Sequence, residues 1–150
     1  MITTNNLNEV RRQIQKLKKE NPGEKIIVQA HDPEFNRKIL EISDVDVLLS
    51  PELHNRKDKL KERDSGLNEI LCKIAKKNNT KIGIDIEKIN SLSKQEKAKA
   101  LARIRQNIFL CKKTGCELAI VPQKKYAKQE IMGFLISLGS STQVAKKAAD

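Results

Sequence analysis

Four short apolar runs, Lys25–Ala30, Val45–Ser50, Lys81–Ile86 and Cys116–Val121, alternate along the chain with amphipathic stripes of helical period. Their near-continuous apolar character suits strands covered on both faces, as in a parallel sheet. Leu7, Val10, Ile14 and Leu17 form the first stripe, and Phe35, Ile39, Leu40 and Ile42 lie on a shorter helix within 32–42. Leu67, Ile70, Leu71 and Ile74 form the next, then Leu101, Ile104 and Ile108, then Ile131, Phe134, Leu135 and Leu138. Capping patterns at Asn6-x-x-Glu9, Ser93-x-x-Glu96 and Ser140-x-x-Gln143 mark helix starts, Ser140 opening a short final helix. Asn79, Gly115 and Gly139 stand where helices end, and Asn21-Pro22-Gly23 is a turn before the first strand. Strand–helix alternation predicts an α/β protein with four parallel strands, either an open doubly wound sheet or part of a (β/α) barrel. Four strands are too few to close the usual eight-stranded barrel.

A chain of 150 residues fits one domain, residues 1–150. No apolar run approaches the roughly 18 residues of a membrane span, so no membrane role is expected. Cys72, Cys111 and Cys116 match no CxxC spacing and read as reduced thiols, which gives a cytoplasmic expectation. The net charge of +11 and a pI near 9.7 point to a polyanionic partner, with nucleic acid the first suspect. Aromatic residues are only 3% of the chain, so phosphate contacts are expected to outweigh base stacking. Neither GxGxxG nor GxxxxGK[ST] occurs, which removes the two usual nucleotide-binding loops.

In α/β folds functional residues gather on the loops after the carboxyl ends of strands. Those loops carry His31-Asp32-Pro33, Ser50-Pro51-Glu52-Leu53-His54, Asp85 with Glu87, and Pro122-Gln123-Lys124-Lys125-Tyr126. His31, His54, Asp85 and Glu87 could be read as the metal or acid–base set of a barrel phosphoesterase. Against that reading, no HxH or HExxH pair fixes two ligands on one rigid element, and Asp32 is placed to cap the helix beginning at Pro33. Nor does any serine occupy a GxSxG turn. The stronger signal is charge: residues 54–63 hold five Lys or Arg against two acids, and Lys124 and Lys125 belong to the same rim. Arg56, Lys57, Lys59, Lys61, Arg63, Lys124 and Lys125 are therefore the RNA-binding candidates. The helix beginning at Lys94 adds Lys97, Lys99, Arg103, Arg105, Lys112 and Lys113 as a basic face.

Val45-Asp46-Val47-Leu48-Leu49-Ser50-Pro51-Glu52-Leu53, then Arg63-Asp64-Ser65-Gly66-Leu67-Asn68 and Cys72-Lys73-Ile74-Ala75-Lys76-Lys77-Asn78-Asn79, resemble the archaeal ribonuclease P protein component 3 family. Asp32-Pro33-Glu34-Phe35-Asn36-Arg37 and the ending Ile131–Gly139 with its short final helix carry the same resemblance. It implies a partial TIM-barrel-like (βα) repeat and a non-catalytic subunit of the ribonucleoprotein that removes the 5′ leader of precursor tRNA. The RNA then carries the endoribonuclease activity with magnesium, and the chain itself binds no cofactor. The implied partners are ribonuclease P RNA, precursor tRNA and another protein subunit. The family is usually longer, so the chain looks like a shortened member lacking N-terminal strand–helix units. Its loop from Glu52 to Arg63 looks longer than usual, and Val121-Pro122-Gln123 replaces a small-residue end to the last strand. Within the matched motif, Arg63 is the phosphate ligand the resemblance favours, because its planar fork pairs two oxygens. Ser65 could instead cap the following helix, Asp64 could compensate the helix N-terminus, and Gly66 reads as backbone geometry. The alternative from another class is a metal-dependent phosphoesterase using His31, His54 and Asp85. Exposed sheet edges would favour a homo-oligomer or dependence on a partner unless the first helix covers one.

Overall fold

The computed structural model describes residues 1–150. β1 (Ile27–Gln29), β2 (Val47–Leu49), β3 (Lys81–Asp85) and β4 (Leu118–Val121) form one sheet in the order β1-β2-β3-β4. Every pairing is parallel, with Val28 opposite Leu48, Leu48 opposite Ile82 and Ile82 opposite Leu118. The strand order never reverses, so the sheet lacks the switch point of a doubly wound fold and runs as an arc of (βα) units. Beyond β1, Ile2 adds one parallel bridge to Val28, its backbone bonding Ile27 and Gln29. One outer edge is thus met by the N-terminal segment, not by the first helix.

The helices are α1 (Leu7–Glu20), α2 (Pro33–Leu40), α3 (Glu69–Lys77), α4 (Ile86–Ser91), α5 (Lys94–Thr114), α6 (Lys128–Ser137) and α7 (Thr142–Ala149). α1 packs on α2, α2 on α3 and α3 on α5, while α7 packs on both α6 and β4. Local chemistry sets the helix starts: Asn6 and Asp32 accept from first-turn amides, and Ser93 and Glu96 form a reciprocal capping box. Asn79, Gly115 and Gly139 all have positive φ, as the stop signals require.

Several local expectations shift. The cap of α7 is Ser141, which accepts from the Val144 amide; Ser140 is instead buried in the turn. Asn68, not Ser65, caps α3, so Leu67 lies in the core but precedes the helix. Ile70, a member of the apolar stripe, is exposed in the first turn of α3 because the buried face of the helix is set by Leu71, Cys72 and Ala75. The short α4 and a 3-10 turn at Gln123–Lys125 carry no periodic signal long enough to be read in advance.

Candidate nucleic-acid interface

At the carboxyl end of β2 the chain leaves the sheet through Ser50, at φ +53°, and returns to α3 only at Asn68. Two features tie this long loop to the body. Gly66, at φ +80°, lies so close to Pro51 that a Cβ there would sit 1.9 Å from the Pro51 carbonyl oxygen, so only glycine fits. From α5, Asn107 donates through Nδ2 to the Ser65 carbonyl at 3.1 Å.

The main fastening is Arg103, one turn earlier on α5 and only 2% exposed. Its Nη1 donates to the carbonyls of Glu52 and His54, each at 3.1 Å. Its Nη2 donates to the Arg56 carbonyl at 2.8 Å and the Asp58 carboxylate at 3.0 Å, and Nε reaches the same carboxylate at 3.2 Å. A guanidinium supplies five donors in a fixed fork, so one side chain shapes the first half of the loop. By residue type Arg103 belongs to the solvated basic face of the helix. It is instead internal, because Ala100, Arg103, Ile104, Asn107, Ile108 and Cys111 share the buried face of α5.

A second network shapes the far half. Asp64 pairs with Arg56 at 2.8 Å, and its carbonyl accepts from His54 Nε2 at 2.7 Å. His54 Nδ1 accepts from the Arg56 amide, so the ring is a single neutral tautomer. Burial, with the nearby charges of Arg103 and Arg56, holds its pKa below the usual value. The Arg56 hydrogen bond, aided by the Gly66 amide, outweighs partial burial and holds the Asp64 carboxyl down to about 2. Asp64 thus serves the loop, not the N-terminus of α3.

With the backbone held, Lys57, Lys59, Lys61 and Arg63 are left exposed, and none has an acidic partner in the chain. Arg56 is half-buried in its pair with Asp64 and so is mainly a loop-building residue. Lys124 is exposed in the 3-10 turn after β4, whereas Lys125 pairs with Glu87 of α4. These two lie at the same carboxyl edge of the sheet, yet β3 and α4 intervene between them and the long loop.

His31, His54, Asp85 and Glu87 do not converge on a site, and no three His, Cys, Asp or Glu side chains come together as a metal-binding group. Outside the loop each has a local role. His31 contacts the Thr3 carbonyl and the edge of Phe35, Asp85 caps α4, and Glu87 holds Lys125. Glu52, which the sequence marks only as part of a loop motif, is buried with neither carboxylate oxygen hydrogen-bonded, and burial raises its pKa to about 8. Arg103 and Asn107 are the functional residues that residue type alone does not reveal; their positions within the apolar period of α5 are the available signal.

A basic (βα)-repeat protein with a barrel-like parallel arc is the class that this fold and loop define. No protein-family model matches the chain. Among curated proteins, ribonuclease P protein component 3 of Methanococcus vannielii is 28% identical over 91% of this chain and 58% of its own length. That of Methanococcus maripaludis is 30% identical over 79% of this chain and 47% of its own length. A chain of the cryo-EM structure of archaeal ribonuclease P with mature tRNA superposes with a TM-score of 0.78 at 24% identity, covering 98% of this chain and 62% of its own. By sequence the chain is similar to ribonuclease P protein component 3 proteins, and it spans about half the length of the curated relatives it matches.

Proposed function

We propose that this chain is a non-catalytic protein subunit of ribonuclease P, which holds RNA phosphates on the loop after β2 while the RNA component removes the 5′ leader of precursor tRNA. The observation that carries the reading is the exposed, unpaired row Lys57, Lys59, Lys61 and Arg63 on a backbone fixed by a buried arginine. Preformed cations of this kind meet a polyanion without the ordering cost of a mobile loop. The relatives' name and the +11 charge support the same partners: ribonuclease P RNA, precursor tRNA and a second protein subunit. In this reading the magnesium of the particle is held by RNA. A cytoplasmic site of action accords with this, and no helix of the chain is long and apolar enough to cross a membrane.

The test is a reconstituted particle in which Lys57, Lys59, Lys61 and Arg63 are changed together to Ala, leaving Arg56 to hold Asp64. Each phosphate contact contributes roughly 0.7–0.9 to the slope of log affinity against log salt, so losing four lowers the slope by up to about 3.6. Leader removal should fall with it. An unchanged slope and unchanged processing would mean that the loop is only a solvated surface.

A further inference from the structure

The loop and α5 border a shallow, open groove of about 590 Å³ whose use the phosphate-holding role leaves open. One wall is the loop tip with Lys59, Lys61 and Arg63; the other is the α5 face of Gln106, Phe109 and Leu110. Phe109 is 64% exposed, although it sits within the longest helix, in its last third, next to the fully buried Ile108. The other aromatic residues, Phe35, Tyr126 and Phe134, are buried or packed against the core. Both walls are fixed, because Arg103 of α5 is bonded to Asp58 at the start of the loop tip. That bond also neutralises Asp58, which leaves Glu62 as the one unpaired acid beside three unpaired cations.

We infer that this groove is a binding site for an unpaired stretch of RNA, with a base stacked on Phe109 and the flanking phosphates on Lys59, Lys61 and Arg63. The inference rests on the proposed RNA-binding role and names the part of RNA that the site takes. Charge complementarity decides the occupant: a flat aromatic face between cations is the composition of a single-strand platform, where rings take bases and cations track the backbone. A duplex keeps its base faces stacked on one another, so it can use the cations but not the ring. Leu60, wholly exposed at the loop tip, adds apolar surface on the opposite wall.

The experiment uses the full chain, a short adenosine-rich single-stranded RNA and a hairpin duplex as probes. Because the sequence contains no tryptophan, Phe109→Trp introduces a single, selectively excited indole at an exposed position that tolerates it. Single-stranded RNA should quench that emission at concentrations where the duplex does not. Phe109→Ala should weaken binding of the single strand by roughly 5- to 150-fold, the range for loss of one stacked base, while the salt slope stays that of the unmodified chain. Duplex affinity should change by less than about twofold, since no cation is removed. The inference is overturned if the unmodified chain binds single-stranded RNA with a steep salt slope but Phe109→Ala binds it equally well. It is also overturned if the Phe109→Trp emission responds only to another protein subunit, which would make the groove a protein contact. Absence of any RNA binding by the unmodified chain would refute the proposed function itself.

Discussion

Arg103→Met tests the fastening of the loop. The thioether roughly retains the apolar volume inside α5 but removes the bonds to three carbonyls and to Asp58. Not all of that is lost to stability, because the carbonyls of His54 and Arg56 and the partly exposed Asp58 side chain can recover water. What remains is the lost charge-assisted bond to the buried Glu52 carbonyl, which keeps only the His54 amide; such a bond typically contributes about 1.5–3 kcal/mol. For a domain of this size, 1 kcal/mol lowers Tm by roughly 2–4 °C, so a fall of roughly 3–12 °C is expected. Amide exchange should become fast first over residues 55–64, ahead of the sheet. Arg103→Lys should rescue little, since one ammonium cannot span the separate acceptors of the guanidinium fork. A thermal scan with exchange read by mass spectrometry checks both effects. A shift below about 2 °C with the loop amides equally protected would refute the claim that Arg103 holds the loop.

Glu52→Gln probes the buried carboxyl. Its folded-state pKa lies at about 8, above the unfolded value, so the contribution of protonated Glu52 is present at low pH and is lost as pH rises from about 4.5 through 8. Gln should therefore match the parent near pH 4 and exceed it by a few kcal/mol at pH 8; since neutral His54 contributes the opposite slope below its ordinary pKa, the difference between the two proteins in urea melts is the quantity to read. Gly66→Ala adds a Cβ against the Pro51 carbonyl at a positive φ, so the denaturation midpoint should drop by the equivalent of about 3 kcal/mol or more, and near-parental stability would contradict that close approach.

The sheet is readable because each strand is an isolated apolar run between turn residues, and because side chains such as Asp32, Ser93 and Gly115 state helix ends locally. The observed strands are shorter than the runs, since the flanking residues Ile26, Val45 and Cys116 are buried outside the ladder. Sequential strand order is not readable, because both a doubly wound sheet and a barrel arc give the same alternation. At the site, the unpaired cations follow from the charge run, but the division between building and binding residues does not. Arg56 and Lys57 are adjacent in sequence and differ only in that Asp64 reaches one of them from eight residues away. Arg103 looks like its neighbour Arg105 by type; its burial becomes visible only when α5 is phased on Ala100, Ile104, Ile108 and Cys111. The groove at Phe109 is hidden for a different reason: low aromatic content argues against stacking, yet a single exposed ring suffices where the backbone places it among cations.

Association with ribonuclease P RNA is measured most directly by recovering a tagged chain from its native cells at low salt and quantifying that RNA in the eluate. The expected result is strong enrichment over bulk RNA, diminishing as the wash salt is raised and reduced when Lys57, Lys59, Lys61 and Arg63 are all changed to Ala. Recovery of the chain at low salt without ribonuclease P RNA would contradict the subunit assignment.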